Sequence, residues 1–204
     1  MSNFTRNDVD IKRVTRAYDG FLKIDVLELK HKLFAGGWSR VFTRELLERG
    51  HAVAVLPYDP VREEFVFIEQ FRVGALATSD EPWLLEIVAG VIDPGETAED
   101  VAHREAEEEA GIEIKHLVKL TDYLPSPGGT SERIYLYLGI VNSEEAGGVH
   151  GLEYENEDIR VKCLSVDETM ELLQNGAFQN SATIIGLQQF YLFKEQLLES
   201  VNPS

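Results

Sequence analysis

Hydrophobic and polar residues alternate with a period of two along the first part of the chain. The β-type runs cover residues 10–18, 21–34 and 39–47, and Asp19-Gly20 and Ala35-Gly36-Gly37 separate them as turn signals. This pattern predicts a small antiparallel β unit within residues 1–47. Three strands are marginally stable alone, so we expect the unit to pack on another surface.

The pattern changes after residue 48. Short apolar runs and helical segments are mixed there without a regular alternation of strand and helix. Strands are predicted at 51–58, 64–71, 83–90, 112–120, 133–141 and 159–164. Two C-terminal helices are predicted, one opened by the capping box Ser165 to Glu168 and stopped by Gly176, and one at 181–198. Residues 147–158 form a long acidic loop, a feature that is often functional. The sequence therefore predicts an α+β domain over residues 48–204.

A helix with two distinct faces is predicted at 98–110. Its apolar positions, at spacings of three and four, are Ala98, Val101, Ala102 and Ala106. Glu105, Glu108 and Glu109 share a neighbouring face. Such acids are often only a solvated surface, but here they repel one another and oppose the helix dipole at its C-terminal end. A bound divalent cation would convert that repulsion into ligation.

The segment before this helix, residues 89–96, is a strand end followed by a tight loop with Gly90 and Gly95. Glycines let backbone atoms approach an ion or a phosphate closely, although most glycine pairs only make turns. Oxygen ligands without His or Cys favour Mg²⁺ or Mn²⁺ over Zn²⁺. The residues alone therefore leave two interpretations, a metal site or an acidic surface.

Composition narrows the classes of partner. The formal net charge is −17, from 36 acidic and 19 basic residues, which disfavours nucleic acid and anionic membrane surfaces. We see neither a secretory leader nor an apolar run long enough to span a membrane, so we expect a cytoplasmic protein. Cys163 is the sole cysteine and is expected to be a buried small hydrophobe in a strand.

One stretch resembles a known family signature. Gly90, Glu96, the pair Arg104-Glu105, the pair Glu108-Glu109 and Gly111 stand at the spacings of the Nudix box. The chain is also similar to the bacterial ADP-ribose pyrophosphatase subgroup in YDGFLKIDVLELKH, WLLEIVAG, SPGGTSER and GLEYENEDIRV. The resemblance implies the α+β Nudix fold, a mixed sheet between helices.

The resemblance also implies a metal site and a catalytic group. Two or more Mg²⁺ ions, or Mn²⁺, are expected in each active site. Their implied ligands are Glu105 and Glu109, with Glu108, the main-chain carbonyl of Ala89 and Glu157. Arg104 is expected to orient the carboxylates and, with Glu108, to serve catalysis, while Glu155 is expected to be the general base.

Substrate contacts are implied at five positions, each with an ordinary alternative. Gly128 and Gly129 follow Pro127, which resembles the subgroup marker, although Pro-Gly-Gly is also a common turn. Arg44 and Arg72 resemble substrate-facing arginines, and Phe21 resembles an aromatic residue that stacks on adenine. Arg72 could instead be a surface charge and Phe21 a core residue.

The expected reaction is hydrolysis of ADP-ribose to AMP and ribose 5-phosphate. The resemblance implies a homodimer in which the N-terminal unit pairs with a second subunit. One alternative is another nucleoside diphosphate sugar, such as a GDP-sugar. A second is a module that binds ADP-ribose without cleaving it, which the intact glutamate set disfavours.

Overall fold

A computed structural model describes residues 4–152 and 156–201 and divides into two compact units. The first unit contains Met1–His51 and Leu124–Glu132. The second contains Ala52–Tyr123 and Arg133–Ser204. Among the described residues, no helix is both long and apolar enough to cross a membrane.

The first unit is a three-stranded antiparallel sheet, as the alternating pattern predicts. Its strands, in the order β1-β2-β3, are Val9–Asp19, Lys23–His31 and Phe42–Glu48, and a 3-10 turn at Arg6–Asp8 precedes them. The segment 124–132 joins β3 through its backbone, because Leu47 N donates to Gly129 O at 2.8 Å and Ser131 N donates to Leu47 O at 3.2 Å.

The described part of the second unit, residues 52–123, 133–152 and 156–201, holds a mixed eight-stranded sheet and four helices. Its strands are β4 Ala52–Asp59, β5 Glu64–Phe71, β6 Trp83–Glu86, β7 Val88–Val91, β8 His116–Tyr123, β9 Ile134–Ile140, β10 Val149–His150 and β11 Ile159–Ser165. Its helices are α1 Val73–Leu76, α2 Ala98–Ala110, α3 Val166–Gln174 and α4 Ser181–Val201. The main path runs β10-β11-β5-β4-β9-β8, with β4 and β9 parallel.

The sheet forks between β4 and β5, and this divides a segment that the apolar pattern predicts as one strand. Tyr58 pairs with Phe65, but further along β6 pairs with β5 and β7 pairs with β4. The expectation of a single strand at 83–90 is therefore wrong at Ile87, where the chain passes from one neighbour to the other. There Ile87 N donates to Thr183 Oγ1 at 3.1 Å instead of to a strand.

Two apolar layers cover the two faces of this sheet. Alternate residues of β4 point to opposite sides, so Val53 and Val55 pack with α2, whereas Ala54 and Leu56 pack with α4. The expected arrangement of a mixed sheet between helices is therefore confirmed. Cys163 lies in β11 as predicted, but it is half-buried, with Sγ 3.8 Å from Ala146 O, and not fully buried.

Candidate active site

Helix α2 lies at the centre of the site and is held firmly at both ends. Thr97 caps its first turn in a capping box with Asp100. Gly111 ends it in the left-handed conformation with φ 63°, and Ile112 N donates back to Ala106 O at 3.1 Å. The apolar stripe faces the core as predicted, with Val101 and Ala106 fully buried. The carboxylate face therefore has a fixed orientation relative to the sheet.

Arg104 gathers three carboxylates around one guanidinium group. Its Nη1 donates to Glu105 Oε1 at 2.8 Å and to Glu108 Oε2 at 3.1 Å, and its Nε donates to Glu96 Oε1 at 3.2 Å. Glu96 also accepts from Asp93 N at 3.1 Å, which ties the preceding loop to the helix. The sequence reasoning did not identify this contact of Glu96, although Glu96 is one of the signature positions.

Glu109 is a buried carboxylate with little compensation. It is 3% exposed and accepts a hydrogen bond from Ala89 N at 3.0 Å. Burial raises its pKa to about 8, with a further upward contribution from Glu105, against the lowering effects of Ala89 N and the charge of Arg72. The site therefore holds an acidic group in an environment that favours either a proton or a nearby cation.

Glu105 lies directly against the backbone of β7. Burial raises its pKa to about 7, with Arg104 opposing and Glu108 adding to the rise. A Cβ built on Gly90 would lie 1.9 Å from Glu105 Oε1, so any side chain at this position would displace the carboxylate. The glycine thus allows a carboxylate and a strand backbone to occupy one small region.

These residues fit a hard divalent cation. Glu105 and Glu109 are one helical turn apart, and Glu109 reaches the main chain at Ala89, whose carbonyl is a further oxygen donor. Within the described ranges, no three His, Cys, Asp or Glu side chains are already grouped as metal ligands. Arg104 instead balances the charge of Glu105 and Glu108.

The loop that carries the expected general base is described only in part. Glu155 lies outside the described residues. Glu157 is held by backbone contacts, since its N donates to Leu152 O and its Oε2 accepts from Leu152 N, both at 3.3 Å. Its charge contributes to the raised pKa of both Glu105 and Glu109, so its carboxylate lies on their side of the molecule.

The predicted substrate contacts divide between the two units. Arg72 belongs to the second unit, where its charge acts on Glu109. Phe21, Arg44, Gly128 and Gly129 belong to the first. Phe21 is 94% exposed, so its alternative interpretation as a core residue is wrong for the described chain.

Within the first unit, Arg44 lies on β3 with its guanidinium 4.5 Å from the centre of the Phe42 ring. Its Nη1 donates to Thr43 O at 2.9 Å. The backbone contacts of Leu47 hold the loop of Gly128 and Gly129 against the same strand. The structure therefore brings the arginine and the glycine loop together on one element.

Two residues that sequence reasoning missed support Arg72. Glu86 Oε2 accepts from Arg72 Nε at 2.7 Å, and Glu86 Oε1 accepts from Asn180 Nδ2 at 2.8 Å. A signal for Glu86 existed, because it is a single acid within the apolar run WLLEIVAG. Asn180 gave no such signal, since its contact is 94 residues distant in sequence.

Comparison with known proteins agrees with this geometry. The NUDIX domain model matches residues 48–184, which is more than half of the chain. An ADP-ribose pyrophosphatase of Escherichia coli strain K12 is 47% identical over 194 residues, covering 95% of this chain and 93% of the relative. The ADP-ribose pyrophosphatase of Haemophilus influenzae is 43% identical over 203 residues, covering 98% and 94%.

More distant similarities concern a different substrate and the fold. A GDP-mannose pyrophosphatase of Shigella flexneri serotype 5b is 31% identical over 157 residues, covering 76% of this chain and 80% of the relative. A solved structure described as an ADP compounds hydrolase superposes with a TM-score of 0.70 at 22% identity, covering 93% of this chain and 96% of that one. The family model and the curated relatives together show that this chain belongs to the Nudix domain family and is a Nudix hydrolase.

Proposed function

We propose that this enzyme hydrolyses the diphosphate of ADP-ribose, releasing AMP and ribose 5-phosphate. The observation that carries the proposal is the pairing of two carboxylates, the buried Glu109 and the partly buried Glu105, beside the backbone at Ala89 and Gly90. Similarity to ADP-ribose pyrophosphatases over nearly the whole chain supports the substrate. In the reaction, water attacks one phosphorus, and the bridging oxygen leaves with the other phosphate.

Nudix hydrolases generally use a divalent metal, typically Mg²⁺. We assign two or more Mg²⁺ ions to Glu105, Glu109 and the carbonyl of Ala89, with Glu108 and Glu157 as further ligands. When bound, such ions neutralise the diphosphate and lower the pKa of a water molecule. Mn²⁺ has the same preference for oxygen ligands and is expected to substitute.

The chain's own side chains have separate tasks in this scheme. Arg104 orients Glu105 and Glu108 through its two Nη1 contacts. Arg72 and Arg44 bind the anionic substrate, Phe21 stacks on the adenine, and the backbone at Gly128 and Gly129 contacts the substrate. Glu155 accepts the proton of the attacking water, because Glu105 and Glu109 are committed to cations, which lowers their basicity.

The assignment of the base is tested by two matched variants. Glu155→Gln keeps size and hydrogen bonding but removes proton acceptance, so kcat for ADP-ribose should fall by roughly 10²- to 10⁴-fold with little change in KM. Added Mg²⁺ is expected to restore part of the activity lost in Glu157→Gln, but none of the activity lost in Glu155→Gln. A Mg²⁺ titration of both variants decides this, and a Glu155→Gln enzyme within about threefold of wild type would mean that another residue is the base.

A second candidate substrate is a GDP-sugar, because one relative is named a GDP-mannose pyrophosphatase. The carboxylates of α2 act on the diphosphate and do not select the base or the sugar. Product identification with a panel of nucleoside diphosphate sugars and Mg²⁺ separates the two substrates. Hydrolysis of none of them would favour a module that binds ADP-ribose without cleaving it.

The expected homodimer is also a proposal. Strand β1 exposes Val9, Ile11, Val14 and Tyr18, and adjacent apolar exposure of this kind is typical of an association surface. We assign this surface to a second copy of the chain. A solution mass of a single chain by light scattering at micromolar concentration would contradict it. The cytoplasmic location expected from the sequence stays a prediction.

A further inference from the structure

Glu86 is a buried acid in an apolar strand, and the reaction scheme gives it no task. It lies in β6 opposite Ile68 of the core and is 2% exposed. A buried carboxylate is costly unless hydrogen-bonded donors or a positive charge compensate it. Here both oxygens are used, Oε2 by Arg72 Nε at 2.7 Å and Oε1 by Asn180 Nδ2 at 2.8 Å.

Asn180 is itself held in one orientation. Its Oδ1 accepts from Ala182 N at 2.8 Å and from Thr183 N at 3.2 Å, so it caps the first turn of α4. An amide whose oxygen faces the helix must direct its NH₂ group the other way, toward Glu86. Thr183 Oγ1 accepts from Ile87 N at 3.1 Å, which joins the start of α4 to the next residue of the strand. Glu86 is therefore fixed from two sides.

Arg72 uses only part of its donor capacity in this arrangement. Its backbone N donates to Pro82 O at 2.8 Å, which holds the end of β5, and its Nε donates to Glu86. Neither Nη group has a hydrogen-bond partner within residues 4–152 and 156–201. A guanidinium carries five N–H donors in a planar fork, so four remain for an anion. The charge of Arg72 lowers the pKa of Glu109, so the guanidinium group lies near the C-terminal end of the carboxylate helix.

We propose that Glu86, held by Asn180, is a positioning residue that orients the guanidinium of Arg72 so that its free Nη edge binds the diphosphate of the substrate. The inference rests on the proposed function in assigning Arg72 to the substrate. It adds that the precision of this contact comes from the start of α4, which lies on the opposite face of the sheet from α2. A guanidinium without this support would reach the phosphates in many orientations.

The first test replaces Glu86 by Gln. Both partners of Glu86 are donors, so a glutamine of the same size would set its NH₂ group against one of them. We expect KM for ADP-ribose to rise by about 10-fold with kcat within about threefold, because an anion contact present before and during the reaction changes binding most. In an Arg72→Ala background the same substitution should have no further effect. An equal rise of KM in both backgrounds would overturn the inference.

Two further variants separate positioning from simple loss of stability. Asn180→Ser keeps a good helix N-cap but is too short to reach Glu86, so KM should rise as in Glu86→Gln while the melting temperature changes little. Asp59→Asn is the matched control, because it removes the charge of another buried carboxylate. Asp59 lies at the end of β4 that is away from the residue paired with Gly90. It should lower stability and leave KM unchanged. A raised KM in Asp59→Asn would mean that KM reports general destabilisation and would count against the inference.

A readout without substrate distinguishes this inference from the proposed function. In proton–nitrogen NMR spectra, the Nε–H of Arg72 should exchange slowly with water in the wild type and rapidly in Glu86→Gln. Rapid exchange in the wild type would overturn the positioning role. Absence of ADP-ribose turnover by the wild type would instead overturn the proposed function, and a normal KM in Arg72→Ala would overturn the assignment of Arg72 to the substrate.

Discussion

Two carboxylates of the second unit are almost equally buried, yet their surroundings differ. Asp59, 2% exposed, accepts hydrogen bonds from Val61 N at 2.8 Å, Arg62 N at 3.2 Å and Ser143 N at 2.9 Å. Burial raises the pKa of Asp59, but these bonds outweigh burial and the pKa lies below its usual value. Glu109, 3% exposed, accepts from Ala89 N, and its pKa is raised to about 8.

The difference lies in the hydrogen-bond donors that surround each carboxylate, and it fits the proposed role of Glu109 as a metal ligand. The charge of Asp59 is satisfied by backbone N–H groups of the turn that it closes and by the backbone N–H and hydroxyl of Ser143. Glu109 lies in the last turn of α2, where the helix dipole is also unfavourable for a negative charge. Burial alone therefore does not distinguish these two acids, whereas the number of hydrogen bonds that oppose the effect of burial does.

The largest expected effect is the loss of activity on removing the charge of Glu109. Glu109→Gln keeps the size of the side chain and removes an anionic ligand, so kcat should fall by about 10³-fold, which corresponds to the several kcal/mol that metal ligation supplies. In EDTA the melting temperature should hold or rise, because an uncompensated charge is gone. Steady-state turnover against Mg²⁺ and thermal melts measure both.

Glu107→Gln is the matched control, since Glu107 is an exposed glutamate of the same helix. Its turnover and its free energy of unfolding should stay near those of the wild type, within about 0.5 kcal/mol for the latter. If Glu109→Gln at saturating Mg²⁺ turns over as fast as this control, Glu109 is not a metal ligand.

Asp59 should show the reverse behaviour, a loss of stability without a loss of activity. Asp59→Asn would set an NH₂ group against the backbone donors of the turn, so the free energy of unfolding should fall by about 1–3 kcal/mol. Chemical denaturation measures this fall, and kcat/KM at a temperature where the variant is folded should match the wild type. A variant as stable as the wild type would show that the turn does not depend on the charge.

The smallest expected effect is on the pH dependence of stability without metal. The pKa values of Glu105 and Glu109 rise from 4.5 to about 7 and about 8 on folding. A raised carboxyl pKa means that the folded form binds more protons than the unfolded form. The contribution of these groups to stability is complete below pH 4.5 and is lost as the pH rises through 7 to 8. Asp59, with its lowered pKa, contributes nothing to the change above pH 5.

Melts in EDTA between pH 5 and 8.5 should therefore show a melting temperature that falls by roughly 5 °C, which corresponds to about 1–2 kcal/mol for a protein of this size. The gain in melting temperature on adding Mg²⁺ should grow over the same interval, because the ion competes with the proton. Glu109→Gln should flatten the profile in EDTA. A melting temperature that rises between pH 6 and 8.5 in EDTA would contradict the inference that these acids are uncompensated.

Much of this site could be predicted because its signals are local. Helix α2 begins and ends at the predicted residues, since the Thr97 cap, the apolar spacing and Gly111 all act within one or two turns. Arg104 and Glu108, which form a hydrogen bond, are likewise neighbours on the surface of one helix. The three-stranded N-terminal sheet follows from alternation and glycine turns for the same reason.

Predictions were less accurate for segments whose structure depends on the strands and helices packed beside them. The strand expected at 112–120 is β8 at 116–123, because Ile112 and Ile114 are buried in the connection beneath the sheet, where their apolar side chains look like strand positions. The loop expected at 147–158 contains the short strand β10, which pairs with β11. In both places the structure depends on pairing with a strand that lies outside the segment.

The sequence by itself determined the chemistry of this protein: the family, the carboxylate helix with its caps, and the glycine that precedes it. Tertiary structure decided which acids are compensated. Asp59 accepts hydrogen bonds from Ser143 across 84 residues, and Glu86 accepts one from Asn180 across 94. Within residues 4–152 and 156–201, Glu109 accepts a hydrogen bond from Ala89 alone. Periodicity and capping depend on residues a few positions apart, but the electrostatic state of a buried charge depends on donors that only the packed sheet and helices bring to it.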